Sequence, residues 1–419
     1  MKILRGKTVA LIDPLWIGHH PMYFCQFAAS FLRCGACVIG LCPEPEQALD
    51  DLRQSVDPDT AGQLDDLVHF EYLAPGKRSF FNGRFEGDPL RTFQRWRNAI
   101  RLLDQAETRF GRGTDLAYFP YLDSFLRFLP LPSVPDILLG RPWSGLYLRN
   151  HHFGEPPSIH QSLRSLAKGD ALLRSRNCLQ IGVLDERFIP EMKTLTGRPV
   201  IAYPDVTQAD LPAAPTALAQ QVKTNARGRK IVGMIGLERR KGFLSVIRTA
   251  KLARQDNLPF YFVCAGTMNP EEYNAEETRE IQETARAIAA GTIDNLHFDP
   301  NAGRIPSELD YNSLFATFDI AWAAYQDFQG SSGTLSKAAV FEIPTIATAG
   351  ECIGNRVQSY RIGLTIPEPT PENAIAALPF LAQATDRDNR PLNPRFADYR
   401  NDHSLARLDS ILMNLLESV

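Results

Sequence analysis

Two glycine-containing turns in the second half of the chain carry residue types suited to binding an anion. The segment 236–242 reads Gly-Leu-Glu-Arg-Arg-Lys-Gly and follows an apolar run that predicts a strand. Its three consecutive cations, Arg239, Arg240 and Lys241, could hold a diphosphate, because arginine offers a fork of donors and lysine a point charge. The sequence therefore predicts a phosphate-binding turn here.

The second turn, 330–334, reads Gly-Ser-Ser-Gly-Thr and precedes a predicted helix over 335–341. The first amides of a helix lack partners and carry partial positive charge, and small residues let a phosphate approach them. The candidate contacts are Ser331, Ser332, Gly333 and Thr334. The alternative is that Ser331 or Ser332 only caps the helix.

Histidines occur in two adjacent pairs, His19-His20 and His151-His152, each directly after a predicted strand. Parallel sheets bind ligands at the carboxyl ends of their strands, so both pairs lie where a site is expected. A histidine there could hydrogen-bond a ligand hydroxyl or transfer a proton. The alternative is a structural histidine, or a plain loop at 150–153.

Other motifs carry less weight. No G-x-x-x-x-G-K-[ST] or G-x-G-x-x-G is present, which removes the main signal for a P-loop NTPase or an NAD enzyme. Asp57-Pro58-Asp59 could bind a metal diphosphate but lies in a polar stretch that indicates a surface loop. Cys34-Gly-Ala-Cys37 closes a helix and enters a strand, so packing is favoured over zinc or redox chemistry, and no metal site is predicted.

Composition indicates an ordinary globular chain of two domains. The 419 residues are 44% hydrophobic, and the net charge of -3 gives no pull toward nucleic acid. The first apolar run is too short for a signal peptide and no run reaches membrane-spanning length, which favours a cytoplasmic protein. A basic amphipathic helix over 90–110 is expected to pack on the core rather than lie on a membrane, so at most peripheral membrane contact is expected.

Phe80, in the basic and aromatic loop 77–85, is a candidate acceptor contact.

Short apolar runs alternate with helical patterns along the chain, which predicts an α/β protein with parallel sheets and right-handed crossovers. The predicted strands are 9–12, 37–41, 68–72, 116–119, 145–148, 178–183, 200–203, 230–236, 261–266, 296–298, 320–323, 344–347 and 363–366. The predicted organisation is an N-terminal domain (1–206), a linker (207–229), a C-terminal domain (230–402) and a final helix (403–419) that packs back on the N-terminal domain.

The motifs between residues 230 and 366 resemble the large retaining glycosyltransferase family 4. That family has the GT-B fold, in which two Rossmann-like doubly wound domains face a central cleft. The segment 236–242 is similar to the family's loop ending in Lys-Gly, and 335–347 to the helix, proline and strand that close the donor site. The segments 262–266 and 295–320 resemble its next strand and its base-reading region.

The resemblance implies roles for the matching residues. Lys241 and Arg240 would stabilise the donor diphosphate, and His151 would lie beside the transferred sugar as the third catalytic residue. The implied donor-binding residues are Gly18, Gly236, Arg239, Gly266, Ile305, Ser331, Ser332, Gly333, Thr334 and Lys337. The acceptor would contact His19, His20 and Phe80.

Two positions depart from the family pattern. Family members commonly carry two glutamates eight positions apart, and here these positions are Gln329 and Lys337. A lysine cannot accept hydrogen bonds from a ribose, so Lys337 is expected to meet a phosphate or a carboxylated donor sugar, or to mark a non-catalytic relative. The arginine expected after Gly236 is Leu237, with Arg239 or Arg240 as its substitute.

The resemblance implies a hexosyltransferase that moves a sugar from a nucleotide diphosphate-sugar to an acceptor hydroxyl. It implies retention of configuration, no metal or other cofactor, and a UDP-sugar rather than a GDP-sugar donor. The acceptor would be a saccharide, a lipid-linked or a small molecule. Two alternatives remain: a non-catalytic GT-B binding or scaffold protein, or another GT-B enzyme such as a sugar-nucleotide epimerase or a phosphorylase.

Overall fold

The chain forms two compact units. Unit 1 comprises residues 1–204 and 405–419, and unit 2 comprises residues 205–404. The computed structural model describes residues 6–74, 89–123, 133–148, 158, 159, 163 and 170–419, with only the backbone at 89–92, 134 and 135. Phe80, the loop 77–85 and His151 lie outside the described residues.

Unit 1 is built on a seven-stranded parallel sheet with the order β3-β2-β1-β4-β5-β6-β7. Its strands are Thr8–Ile12 (β1), Cys37–Cys42 (β2), Val68–Tyr72 (β3), Leu116–Phe119 (β4), Trp143–Tyr147 (β5), Cys178–Val183 (β6) and Val200–Ala202 (β7). Every residue of β1 and β2 is buried. Strands covered on both faces need such continuous apolar runs, which is why the sequence predicts them well.

Helices cover both faces of this sheet. They are His20–Arg33 (α1), Pro45–Ser55 (α2), Pro58–Ala61 (α3), Leu64–Leu67 (α4), Pro89–Phe110 (α5), Ser133–Leu139 (α6) and Ile189–Thr196 (α7). Short 3-10 helices span Asp170–Arg174 and Glu186–Phe188. On α5, Trp96 and Leu103 are buried in the core, as expected for a core-packed helix. Asp57 of the D-x-D motif caps α3 by accepting from Thr60 N at 3.0 Å.

Unit 2 repeats the architecture with a six-stranded parallel sheet of order β10-β9-β8-β11-β12-β13. Its strands are Lys230–Leu237 (β8), Phe260–Met268 (β9), Leu296–Phe298 (β10), Ile320–Ala323 (β11), Thr345–Thr348 (β12) and Gly363–Ile366 (β13). Both sheets being parallel confirms the predicted fold class.

The helices of unit 2 are Ala217–Ala226 (α8), Phe243–Gln255 (α9), Ala275–Ala289 (α10), Glu308–Phe315 (α11), Gly333–Val340 (α12), Cys352–Tyr360 (α13), Pro371–Ala382 (α14) and Phe396–Asp402 (α15), with 3-10 turns at Arg239–Lys241 and Pro270–Glu272.

The segment 207–229, expected as a linker, contains α8. Its Val222 and Ala226 are buried in the unit 2 core. An alanine-rich composition suits a helix as well as a linker, so composition alone did not separate the two.

The last helix, Leu405–Glu417 (α16), belongs to unit 1 and packs against α1. Arg33 at the end of α1 donates to both carboxylate oxygens of Asp409, at 2.8 and 2.9 Å. The buried residues of α16 are Leu408, Ile411, Leu412, Leu415 and Leu416. No helix in the described part of the chain is long and apolar enough to cross a membrane.

All seven cysteines are free and buried. Burial raises the pKa of Cys25, Cys34 and Cys42 to about 12, so these thiols are protonated at neutral pH. A protonated thiol is neither a nucleophile nor a good metal ligand. Cys34 follows α1 and Cys37 begins β2, and both pack as small apolar side chains.

Strand order reverses once in each sheet, between β1 and β4 in unit 1 and between β8 and β11 in unit 2. At such a reversal the loops leaving two neighbouring strands run to opposite faces of the sheet, which opens a crevice at the carboxyl ends. Each unit therefore offers one favoured place for a ligand.

The packing of α16 predicts a large effect of truncating Leu412. Leu412 is 0% exposed, so Leu412→Ala leaves a cavity and should lower the free energy of unfolding by about 2–5 kcal/mol. Leu405→Ala on the same helix is the matched control, because Leu405 is 44% exposed. Urea unfolding followed by tryptophan fluorescence measures both, and equal small effects would contradict this packing.

Candidate functional site

The loop that leaves β8 is shaped by two glycines in the left-handed region of φ. Gly236 has φ +91° and Gly266, on the paired strand β9, has φ +108°. A Cβ on Gly236 would collide with Nζ of Lys241, and a Cβ on Gly266 would lie 3.1 Å from Gly236 N. The β8–β9 register is irregular between Ile235 and Leu237. These glycines let Lys241 fold back over the strand end.

The three cations of this loop all have carboxylate partners. Arg240 Nη2 lies 2.6 Å from Glu238 Oε2, and Lys241 Nζ lies 2.9 Å from Glu238 Oε1. Arg239 instead pairs with Glu277 of α10 at 2.9 Å. One carboxylate thus holds Arg240 and Lys241 together, while Arg239 is directed away from them toward α10.

Glu238 is ionised at neutral pH. Burial raises the pKa of its carboxyl, but the ion pairs with Lys241 and Arg240 outweigh burial and leave the pKa below its usual 4.5. The stability that Glu238 contributes is therefore present above the unfolded pKa and is lost as the pH falls through the folded pKa. At neutral pH the two cations keep their positions.

Arg240 also joins the loops that leave β8 and β11. Its guanidinium carbon lies 4.9 Å from the centroid of the Phe328 ring, and its carbonyl accepts from Gln326 N at 2.7 Å. Both loops lie at the reversal of strand order in unit 2. The cations predicted from the sequence therefore stand at the crevice where a parallel sheet binds its ligand.

The N-terminus of α12 is part of the same crevice. Ser332 caps the helix by accepting from Thr334 N at 3.2 Å, and Tyr325 OH lies 2.9 Å from the hydroxyl oxygens of both Ser332 and Thr334. Gly333 is exposed, and a Cβ added there would have no atom within 4 Å. Ser332 is thus a cap, as the alternative expected, and the open approach to the helix is at Gly333.

A pocket of about 320 Å³ lies within unit 2 at the carboxyl ends of β11 and β12. Its polar and aromatic lining includes Tyr325, Asp327, Phe328, Gln329, Thr348 and Glu351. This volume is within the range of small-molecule sites. Carboxylate and amide oxygens accept hydrogen bonds, so the lining suits a group that carries hydroxyls better than an anion.

Lys337 is engaged by its own unit. Its side chain is 6% exposed, and its ammonium donates to Glu308, to Asn312 Oδ1 and to the backbone carbonyl of Gln208. Burial lowers the pKa of Lys337, and the ion pair with Glu308 opposes that shift. These contacts give no support to the donor-binding role predicted for Lys337, because its donors already meet three oxygens.

In unit 1 the two adjacent histidines after β1 have different environments. Gly18 has φ +61° with open space around it, and His19 is exposed. His20 begins α1 and is buried, with Nδ1 at 2.8 and 2.9 Å from the two carboxylate oxygens of Asp13. The ring of Tyr121 stacks on His20 at 3.7 Å. Asp13 follows β1 and Tyr121 follows β4, so the group lies at the reversal of strand order.

Some residues predicted for the donor site do not lie with the cationic loop. Ile305 packs against the core cluster that contains α8 and β8 residues. The partners missed by the sequence reasoning include Glu238, Phe328, Asp13, Tyr121 and Glu308. Asp13 could have been predicted as a site residue, since it is the first polar residue after the apolar run of β1. Tyr121 and Phe328 lie in loops that follow other strands, and spacing along the chain does not reveal such pairs.

Two parallel-sheet α/β units, each with a candidate site at its reversal of strand order, define the class of protein by its fold, which is GT-B. No protein-family model matches the sequence, and no curated protein matches it significantly.

Solved structures match the chain over its whole length. Anabaena HepE in complex with UDP is 14% identical, with 99% of this chain and 100% of that chain covered and a TM-score of 0.65. A glycosyltransferase from Rickettsia africae is 12% identical, with 99% and 98% covered and a TM-score of 0.63. Sucrose-phosphate synthase from Thermosynechococcus elongatus is 14% identical, with 98% of each chain covered and a TM-score of 0.61. At these identities the likeness is one of fold.

The contacts of Lys337 predict that the family-type glutamate is not tolerated there. Lys337→Glu places a buried carboxylate against Glu308 and two amide-type oxygens, so the free energy of unfolding should fall by about 3–5 kcal/mol. The added change Glu308→Lys should restore part of that loss. Lys251→Glu is the matched control, because Lys251 pairs with Glu280 at the surface and such pairs contribute about 1 kcal/mol or less. Urea unfolding that showed no difference between the two glutamate variants would contradict the buried pairing.

Proposed function

We propose that this protein is a glycosyltransferase that moves a sugar from a nucleotide diphosphate-sugar to an acceptor hydroxyl. One observation carries the proposal: Arg240 and Lys241 stand at the strand-order reversal of unit 2, beside the N-terminus of α12. The whole-length GT-B likeness supports it, since Anabaena HepE binds UDP on this fold.

The donor would bind in unit 2. The diphosphate would meet Arg240, Lys241 and the open approach at Gly333, which together supply positive charge where the leaving group gains negative charge. Glu238 holds the two cations in place before the donor arrives. The sugar would occupy the 320 Å³ pocket, whose oxygen-rich lining accepts hydrogen bonds from hydroxyls.

The acceptor would bind in unit 1 at the strand-order reversal, near Gly18, His19 and His20. A saccharide, a lipid-linked or a small-molecule hydroxyl fits this role. The roles of His151 beside the sugar and of Phe80 at the acceptor stay predictions from the sequence, because both residues lie outside the described part of the chain.

The finer chemistry is also part of the proposal. Transfer of a hexosyl group with retention of configuration and without a metal ion follows from the family resemblance. A UDP-sugar donor is favoured by solved structures of the same fold, in which Anabaena HepE is in complex with UDP-glucose and an Escherichia coli protein is bound with UDP-2-fluoro glucose. A cytoplasmic location stays a prediction from the sequence.

A nucleotide-binding protein without transferase activity is the second candidate. The observation that favours it is Lys337, which takes the position of an expected glutamate and is neutralised by Glu308. A protein of this kind would bind the nucleotide and transfer no sugar, so an activity assay separates the two candidates.

Nucleotide binding is the first test. Thermal unfolding is measured with UDP, GDP, dTDP, ADP and CMP and their sugars, and one nucleotide should raise the stability by about 2.7 kcal/mol at 100 times its Kd. Lys241→Ala and Arg240→Ala should each weaken that nucleotide at least about tenfold, since each removes a charge-assisted contact. Lys251→Ala, which removes a surface lysine of α9 paired with Glu280, is the matched control.

The outcomes separate the candidates. Binding that survives Lys241→Ala unchanged would show that the diphosphate does not lie at this loop. Binding lost in that variant, with no sugar transfer by the wild type, would favour the non-catalytic candidate. No binding of any nucleotide would overturn both.

A further inference from the structure

The loop that leaves β11 places Asp327 on the wall of the unit 2 pocket. Asp327 lines the pocket, and its backbone has φ +48°, in the left-handed region. The loop is fixed on both sides of this residue. Gln326 N donates to the carbonyl of Arg240 at 2.7 Å. The centroid of the Phe328 ring lies 5.4 Å from that of Tyr325. Asp327 therefore has a defined position in the pocket.

The charged side chains of the pocket lining are both carboxylates. They are Asp327, on the loop after β11, and Glu351, which precedes α13 and makes no capping hydrogen bond to that helix. No lysine, arginine or histidine is among the described residues that line the pocket. Carboxylates carry negative charge at neutral pH, so the pocket presents two negative charges to its ligand.

The cations predicted to bind the donor are engaged outside the pocket. Lys337 is buried and pairs with Glu308, and it does not line the pocket. Arg240 and Lys241 share the carboxylate of Glu238, and the proposed function assigns both cations to the diphosphate. The carboxylated donor sugar that the sequence allowed for Lys337 therefore has no cation to meet among the described lining residues.

The hydroxyls of the lining are engaged within unit 2. Tyr325 OH lies 2.9 Å from the hydroxyl oxygens of Ser332 and Thr334. Thr348 donates to the carbonyl of Tyr325 at 2.7 Å. An ionised carboxylate accepts several hydrogen bonds and donates none. Asp327 is thus suited to a sugar hydroxyl, which can donate, and unsuited to a sugar carboxylate, which cannot donate and which it repels.

We propose that this pocket selects a donor whose sugar is neutral and rejects a uronic acid, and that Asp327 determines this choice. The inference deepens the proposed function and rests on it, since it names the class of sugar for the pocket already assigned to the sugar. A neutral hexose and its uronic acid differ only at C6, where a carboxylate replaces a hydroxymethyl group. That carboxylate would share a pocket of about 320 Å³ with two like charges.

The experiment measures binding, so its outcome does not depend on turnover. Isothermal titration calorimetry of the full chain gives the Kd for UDP, UDP-glucose and UDP-glucuronate, with UDP-galactose and UDP-galacturonate as a second pair. In the wild type each uronic acid should bind at least about tenfold more weakly than its neutral partner, because like charges repel in a partly enclosed pocket.

Asp327→Asn should reduce this preference at least about threefold and leave the Kd for UDP within about threefold, because only the repulsion of the sugar carboxylate is removed. Asparagine tolerates the left-handed backbone as aspartate does, so the loop should keep its shape. The double variant Asp327→Asn, Glu351→Gln removes both charges and should bring the preference close to one.

Asp256→Asn is the matched control. Asp256 is exposed between the end of α9 and the start of β9, at the edge of the sheet opposite the pocket. The same change there should leave the preference within about twofold of the wild type, because solvent and salt screen so distant a charge.

Wild-type protein that binds UDP, and binds UDP-glucuronate as tightly as UDP-glucose, would overturn the inference and leave the proposed function standing. A preference that persists unchanged in Asp327→Asn and in the double variant would do the same. Protein that binds neither UDP nor any of the four UDP-sugars would instead overturn the UDP-sugar donor of the proposed function, and this inference with it.

Discussion

The reversal of strand order within each parallel sheet is the constraint on which both candidate sites depend. A parallel strand must be covered on both faces, so successive crossovers run to one face until the order reverses. At the reversal, loops distant in sequence become neighbours. Arg240 then meets Phe328 across 88 positions of chain, and His20 meets Tyr121 across 101. Neither contact is available to a local motif alone.

The charged side chains of the two units differ in their burial and in the groups they pair with. In unit 2, Glu238 neutralises Arg240 and Lys241 at the protein surface, where a phosphate can share or replace it. Lys337 is neutralised in a buried position, where removing Glu308 leaves an uncompensated buried charge. In unit 1, the carboxylate of Asp13 faces a titratable ring rather than a permanent cation. Only the first arrangement is suited to an anion that comes and goes.

Much of the fold could be predicted because its signals are local. The strands of three to nine residues are short apolar runs, and the predicted strands overlap all thirteen observed strands, from β1 at Thr8–Ile12 to β13 at Gly363–Ile366. The cationic loop and the helix cap were also local signals. The partners were not, because Glu308 lies on another helix from Lys337, and Tyr121 follows a different strand from Asp13. The segment 207–229 was ambiguous, since alanine and glutamine suit a linker and the helix α8 equally.

The difference between local apolar signals and distant polar partners also bears on how a fold can be shared at 12–14% identity. Apolar side chains of similar volume replace one another in a sheet at small cost, so many sequences fill the same core. A buried polar pair tolerates far fewer substitutions, because changing one member leaves the other without a hydrogen-bond partner. Lys337 illustrates this, since it is accommodated only with Glu308, Asn312 and a carbonyl around it. The architecture therefore determines where polar pairs such as Asp13 with His20 lie, and the particular sequence determines which pairs they are.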